Sequence, residues 1–161
     1  MYDLALARAL HVLAVVVWIG GVSMVTAVLL PAIRRGELGA DRLAGFQAIE
    51  RRFVWHARAA VLLAGITGVY MVFRLDLWRA FREPHSWWLH AMLVVWTLFA
   101  AALFAVEPLA RHCRLHGSGS AAPAKDIDTQ LSQLQWVHLT LLAAALVTVL
   151  GAVAGSHGWT F

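Results

Sequence analysis

Four uninterrupted apolar stretches, residues 4–30, 53–73, 87–106 and 134–154, leave this chain of 161 residues few ways to fold. Each meets or exceeds the roughly 20 helical residues needed to cross a hydrocarbon core about 30 Å thick. A backbone facing lipid must satisfy its own hydrogen bonds, so all four stretches are expected to be helices. The expected fold class is all-α integral membrane, an antiparallel four-transmembrane-helix bundle formed by one domain, residues 1–161. The first stretch is longer than the apolar region of a signal peptide and lacks a small-residue cleavage site, so it reads as a retained first span.

Charge placement sets the expected orientation. The 31–52 connection holds Arg34, Arg35, Arg42, Arg51 and Arg52, and the 109–133 connection adds Arg111, Arg114 and Lys125. The opposite side has Arg8, Arg74, Arg79 and Arg82. The positive-inside rule then puts both long loops in the cytoplasm and both termini outside, in a bacterial-type inner membrane. The net charge of +4 is therefore a topology signal and does not indicate a nucleic-acid partner. One cysteine, Cys113, excludes an internal disulfide and any CxxC redox pair.

Between the spans, Pro31 should end the first helix, since proline cannot continue a helix interior. Residues 36–40 read as a turn, with Asp41 as an N-cap. Residues 41–52 carry Leu43, Phe46 and Ile49 at spacings of three and should extend the second helix beyond the membrane. Residues 76–83 resemble a short interfacial helix ended by Pro84. Residues 117–125 (GSGSAAPAK) read as a flexible loop, leading into a helix capped by Asp126 or Asp128. Trp55, Trp87, Trp88, Trp136 and Trp159 fit an interfacial aromatic belt, while Trp18 and Trp96 fall mid-span and should pack inside.

Each span carries one histidine near an end: His11, His56, His90 and His138. Alternating directions bring His11 and His90 toward one face and His56 and His138 toward the other. Intramembrane ionisable groups are rare and tend to face the interior or a functional pathway. In an up-down-up-down bundle helices 1 and 3, and helices 2 and 4, can lie diagonally. Two imidazoles facing each other at each of two depths could hold two haem b groups by axial ligation, leaving six-coordinate iron suited to electron transfer. Arg8, three residues before His11, and Arg52, four before His56, share the faces of those histidines and could meet the haem propionates or simply reach for the headgroups. Small residues (Gly20 and Gly21; Ala60, Ala64 and Gly68 after His56; Ala145, Thr148, Gly151 and Gly155) give room for a flat macrocycle, or equally for close helix packing. Gly151 and Gly155 could also bring two copies together as a homodimer.

This layout points to a b-type cytochrome moving electrons across the bilayer, with quinone, quinol or a redox partner protein at its ends. That makes a quinone-linked oxidoreductase one enzymatic expectation. Arg58 could neutralise Glu107 or face a quinone headgroup, with Trp55 beside it. A metal site from His112, Cys113 and His116 is the lesser use of the remaining histidines, and His85 and His157 fall at the outer surface.

The run Leu10-His11-Val12-Leu13-Ala14-Val15-Val16-Val17-Trp18-Ile19-Gly20-Gly21 resembles the first helix of CopD-like and HemJ-like membrane proteins. Glu50-Arg51-Arg52-Phe53, with Gly65-Ile66-Thr67-Gly68 further along, resembles the second helix of the CopD type. The resemblance covers about the first half of the chain and implies either copper transport or a haem-containing protoporphyrinogen oxidase. His90 departs from it, standing where a lysine is common. Copper transport would want ligands in steps, yet Met24, Met71 and Met92 form no Met-x-x-Met ladder. The four-histidine plan itself is similar to that of small di-haem transmembrane b-type cytochromes.

Overall fold

A computed structural model of the chain describes residues 2–37, 42–109, 112 and 124–158, with side chains given for only part of 42–51 and 124–131. Every regular element among the described residues is helical. Four helices are long and apolar enough to cross a membrane: α1 (Tyr2–Arg34), α2 (Arg42–Arg74), α3 (Pro84–Leu109) and α4 (Ala124–Ser156). The apolar stretches are thus the middles of longer helices. The start of α2 lies where the Leu43, Phe46, Ile49 spacing put it. Asp41, residues 117–123 and Trp159 lie outside the described residues.

Helix α1 does not end at Pro31. It runs on to Arg34 because the turn before the proline widens into a π-turn, Val25–Leu29, in which Leu30 N–H donates to Val25 O. Proline lacks the N–H and crowds the carbonyl four residues back, and a π-turn relieves that clash without breaking the helix. Helix α3 does the same: Ala102–Val106 is a π-turn, Glu107 N–H donates to Ala102 O, and Pro108 comes next. The true stop of α1 is Gly36, whose φ of 78° suits glycine, with Gly36 N–H donating to Ile33 O and Glu37 N–H to Ala32 O. In the same turn, the Arg35 side chain donates to Glu37 and holds its carboxyl below the ordinary range.

The 76–83 segment also differs from expectation. Asp76, at φ 49°, ends α2, with Leu77 N–H donating back to Val72 O. The segment then forms one 3-10 turn, Ala80–Arg82, and Pro84 opens a second, Pro84–Ser86. A left-handed residue at a helix end reverses the chain and leaves too few residues for a separate helix. Helix α4 begins at Ala124, so Asp126 and Asp128 fall inside its first turns and do not cap it.

Helix α1 packs along α2, and α3 along α4; α1 also touches α4, and α2 touches α3. Helices 1 and 3 therefore occupy diagonal positions, as do 2 and 4. The start of α1 meets the end of α2, where Tyr70 OH and Arg74 Nη2 donate to Asp3 Oδ2 at 2.8 and 2.9 Å. The core at mid-length draws on all four helices: Trp18, Val22, Ala60, Val61, Val95, Phe99, Leu142 and Ala145. A second cluster, Leu29, Leu30 and Ile33, lies beyond the first π-turn.

The glycines are seats for rings. A Cβ at Gly65 would meet the Trp96 ring at 2.6 Å, and one at Gly151 would meet Trp87 at 2.6 Å. Gly21 takes Phe53 and Gly155 takes Trp88 in the same way. Gly151 and Gly155 thus join α4 to α3 within one chain, which accounts for both without a second copy. Trp18 is buried and meets Phe99 edge-on at 4.9 Å, and Trp96 is half-buried, as their mid-span positions suggested. Trp55 and Trp136 are 67% and 68% exposed, consistent with a belt. The outward faces are mostly apolar: Leu13, Val16 and Val17 on α1, Ile66 and Val69 on α2, Leu93, Val94 and Leu98 on α3, Leu146, Leu150 and Val153 on α4.

Candidate functional site

The four span histidines are placed differently. On α1, His11 is half-buried and in line with Ala7, Ala14 and Trp18 on the packed face. Its Nδ1 lies 3.0 Å from Ala64 O and 3.1 Å from Thr67 Oγ1, both on α2. Thr67 spends its own hydrogen on Leu63 O at 2.6 Å, so its oxygen is free to accept. Both partners are then acceptors, and Nδ1 must carry the proton. Gly68 gives the ring its space, since a Cβ there would lie 3.3 Å from His11 Cε1.

His56 and His138 use their own helices. His56 Nδ1 lies 3.0 Å from Arg52 O, and His138 Nδ1 lies 2.9 Å from Leu134 O. A carbonyl can only accept, so these two rings are also protonated at Nδ1. His138 is half-buried and shares its face with Leu142 and Ala145, whereas His56 is exposed beside the packed face of α2. The surface residue His157 makes the same bond to Val153 O at 2.8 Å, so this device is available to any helical histidine.

His90 stands apart. It is exposed, with Phe81 edge-on at 5.4 Å, and at about 100° per residue it lies across α3 from Val95. Among the described residues no hydrogen bond or ring contact joins His11 to His90 or His56 to His138. No group of three or more His, Cys, Asp or Glu gathers among them either, but a pair of axial imidazoles needs none. Cys113 and His116 lie outside the described residues; His112 is exposed. Arg8, near the start of α1, and Arg52, inside α2, are both exposed, and Arg52 supplies the carbonyl that fixes His56.

A haem b group would need imidazole Nε2 lone pairs and space. The first condition can be met at His11, His56 and His138, where the bonded Nδ1–H holds the ring and selects the tautomer whose neutral form carries its lone pair on Nε2. The second is not supplied by Gly21, Gly65, Gly68, Gly151 or Gly155, which face this chain's own rings, while Gly20 lies on the exposed side of α1. One buried polar atom in the core has no partner among the described residues, Trp18 Nε1. An unsatisfied buried donor costs about 1–3 kcal/mol, so it marks the place in the core where an acceptor would be most welcome.

The most fully built polar group in the spans is one that sequence reasoning only half found. Arg58 donates from Nε and Nη2 to Leu103 O at 3.1 and 2.8 Å and from Nη2 to Glu107 Oε2 at 2.8 Å. Neutralisation of Glu107 is thus realised. The bond to Leu103 has a local cause: the π-turn sends Glu107 N–H to Ala102 O, and Pro108 has no N–H to offer, so the Leu103 carbonyl is left for Arg58. Trp55 and Phe104 flank the guanidinium carbon at 5.3 and 5.6 Å. The signal for this was Pro108, five residues beyond Leu103.

The chain matches no family model, no curated protein and no solved structure.

Proposed function

We propose that the chain is a membrane-bound b-type cytochrome. It forms an antiparallel four-transmembrane-helix bundle in a bacterial-type inner membrane, with both termini on the periplasmic side. His11 with His90, and His56 with His138, would each hold one haem b group, equipping the chain to pass electrons across the bilayer to or from quinone or a redox partner protein. The observation that supports this most directly is the Nδ1 hydrogen bond at His11, His56 and His138, which readies three of the four rings for iron. Apolar outward faces on all four helices support the membrane setting, because a water-soluble monomer rarely leaves so much apolar surface uncovered.

Haem b would supply the one-electron couple, and the chain's residues do the rest. His11 is oriented by Ala64 and Thr67, so its ring is held by α2 while α1 carries it. His138 is aimed along the packed face of α4. Arg8 and Arg52 lie one turn toward water from His11 and His56, where they would meet propionates. The dry core of Trp18, Val61, Phe99 and Leu142 excludes water from the space between the two levels. For His90 to join His11, α3 must turn about its axis, because that ring faces away from Val95. The CopD-like and HemJ-like resemblance fits the same four-helix frame, and no structural feature favours copper transport or porphyrinogen oxidation over it.

The test is a visible spectrum of the detergent-purified chain, oxidised and reduced, with a pyridine haemochrome count. Two low-spin haem b groups per chain are expected. His11→Ala and His90→Ala should each remove one, and the same one; His56→Ala and His138→Ala should remove the other. A colourless protein made with ample haem supply overturns the reading and turns attention to copper titration. A count of one that survives His90→Ala removes the outer site.

A further inference from the structure

The Arg58–Glu107 pair lies mostly buried between α2 and α3, with the exposed rings of Trp55 and Phe104 beside it. We propose that Arg58, Glu107, Trp55 and Phe104 form the binding site for the headgroup of a lipid-soluble quinone. This deepens the electron-carrier reading and rests on it.

Depth is the first argument. Arg58 lies seven residues into the span that begins at Arg51, about 10 Å along the helix axis at 1.5 Å per residue. Glu107 is near the end of its span at Leu109. The pair therefore lies at the inner edge of the apolar region, the level a quinone ring reaches when its tail is in lipid.

Charge is the second. Arg58 is already neutralised by Glu107, and the two side chains are only 18% and 15% exposed. A phosphate or carboxylate headgroup would have to compete with the Glu107 carboxylate for the same guanidinium. A neutral ligand with carbonyl acceptors meets no such penalty.

The guanidinium also has donors to spare. It carries five N–H groups in a fixed fork. The Nε and Nη2 atoms are used, while Nη1 has no partner among the described residues. Lipid tails have no acceptors, so an unused donor at this depth favours a ligand carrying a carbonyl oxygen.

Finally, the walls suit a flat ring. Trp55 is 67% exposed and Phe104 43% exposed, and both lie beside the guanidinium. Leu103 O holds Arg58 in place before any ligand arrives, so little ordering is needed on binding. Entry is sideways from the bilayer, and no channel through the bundle is required.

The test uses the full-length protein in detergent, with its haem spectrum recorded on each sample. Binding of a decyl-substituted benzoquinone is measured by equilibrium dialysis against empty micelles. One saturable site per chain is expected. Trp55→Leu and Phe104→Leu should each weaken it about tenfold, the equivalent of one good ring contact or hydrogen bond. Decylbenzene, which keeps ring and tail but lacks both carbonyls, should fail to compete. Uptake no greater than that of empty micelles, or wild-type affinity in both variants, overturns the site. Loss of quinone binding with haem intact would leave the carrier reading standing. Saturable, Trp55-dependent binding by a colourless protein would do the reverse, keeping the site and removing the haems.

Discussion

Replacing Arg58 by leucine is expected to lower the stability of the folded bundle by about 3 kcal/mol or more, the range found when one member of a buried ion pair is removed. The loss has two parts. Glu107, at 15% exposure, loses the Arg58 guanidinium, and Leu103 O loses both of its guanidinium donors. Neither is rescued by the helix, because Pro108 has no N–H and Glu107 N–H is engaged with Ala102 O. Leucine fills the volume, so packing is not the cause. The measurement is detergent denaturation followed by circular dichroism, comparing Arg58→Leu with Arg58→Leu/Glu107→Leu. The double variant should recover part of the loss, since removing both charges leaves none unpaired. Equal stability of wild type and the single variant would mean that the pair is solvated and adds little.

Gly65→Leu should be nearly as damaging, by about 2–4 kcal/mol, through overpacking and a broken hydrogen bond together. A Cβ there falls 2.6 Å from Trp96 Cζ2 and 2.8 Å from Cε2, so the indole must leave. Its departure breaks the bond from Trp96 Nε1 to Val61 O, 2.9 Å long, and unseats a ring that packs against the central core. The two residues are coupled through one geometric fact. Val61 and Gly65 are one turn apart on α2, and only a residue without a side chain at 65 lets the indole reach the carbonyl at 61. Gly20 is the control, since nothing lies within 4 Å of a Cβ placed there. Gly20→Ala should leave the melting temperature unchanged or raise it, as alanine favours helix over glycine by up to about 1 kcal/mol. If Gly65→Leu melts like wild type, α3 packs on α2 through some other contact.

Much of this architecture can be read before any coordinates. Hydropathy alone finds four helices, because a long apolar run has only one way to satisfy its backbone in lipid. Trp18 and Trp96 are legible for the same reason: an indole far from either interface is best placed inside. The helix ends are less legible. Pro31 reads as a stop by its chemistry, and what overrides it is a wider turn that has no residue signature of its own. Asp76 reads as the start of a short interfacial helix, and its left-handed backbone shows only in three dimensions. At the candidate site, the sequence names the histidines but not their partners. The Thr67 hydroxyl and Ala64 carbonyl that hold His11 lie 56 and 53 positions away along the chain, a separation that no local pattern reports. His90 is the opposite case. Its place in the span matches His11, but burial depends on which way its helix is turned, and the residues that fix that turn belong to α2 and α4.

The two π-turns have a consequence for how chains of this kind are compared. Each stores one surplus residue inside a continuous helix. In α1 the buried positions Ala7, Ala14, Trp18 and Val22 trace one stripe, and Thr26, Leu29 and Ile33 continue it at steps of four, three and four, with Leu30 buried beside them. A helical wheel drawn at constant pitch loses the true angle of the residues after the π-turn at Val25, and again after Ala102 in α3. An alignment of either helix with an unbroken span should therefore open a single-residue gap just before the proline. A natural or engineered deletion there would be absorbed as a return to regular pitch, at the cost of turning the last turns of the helix away from their neighbours.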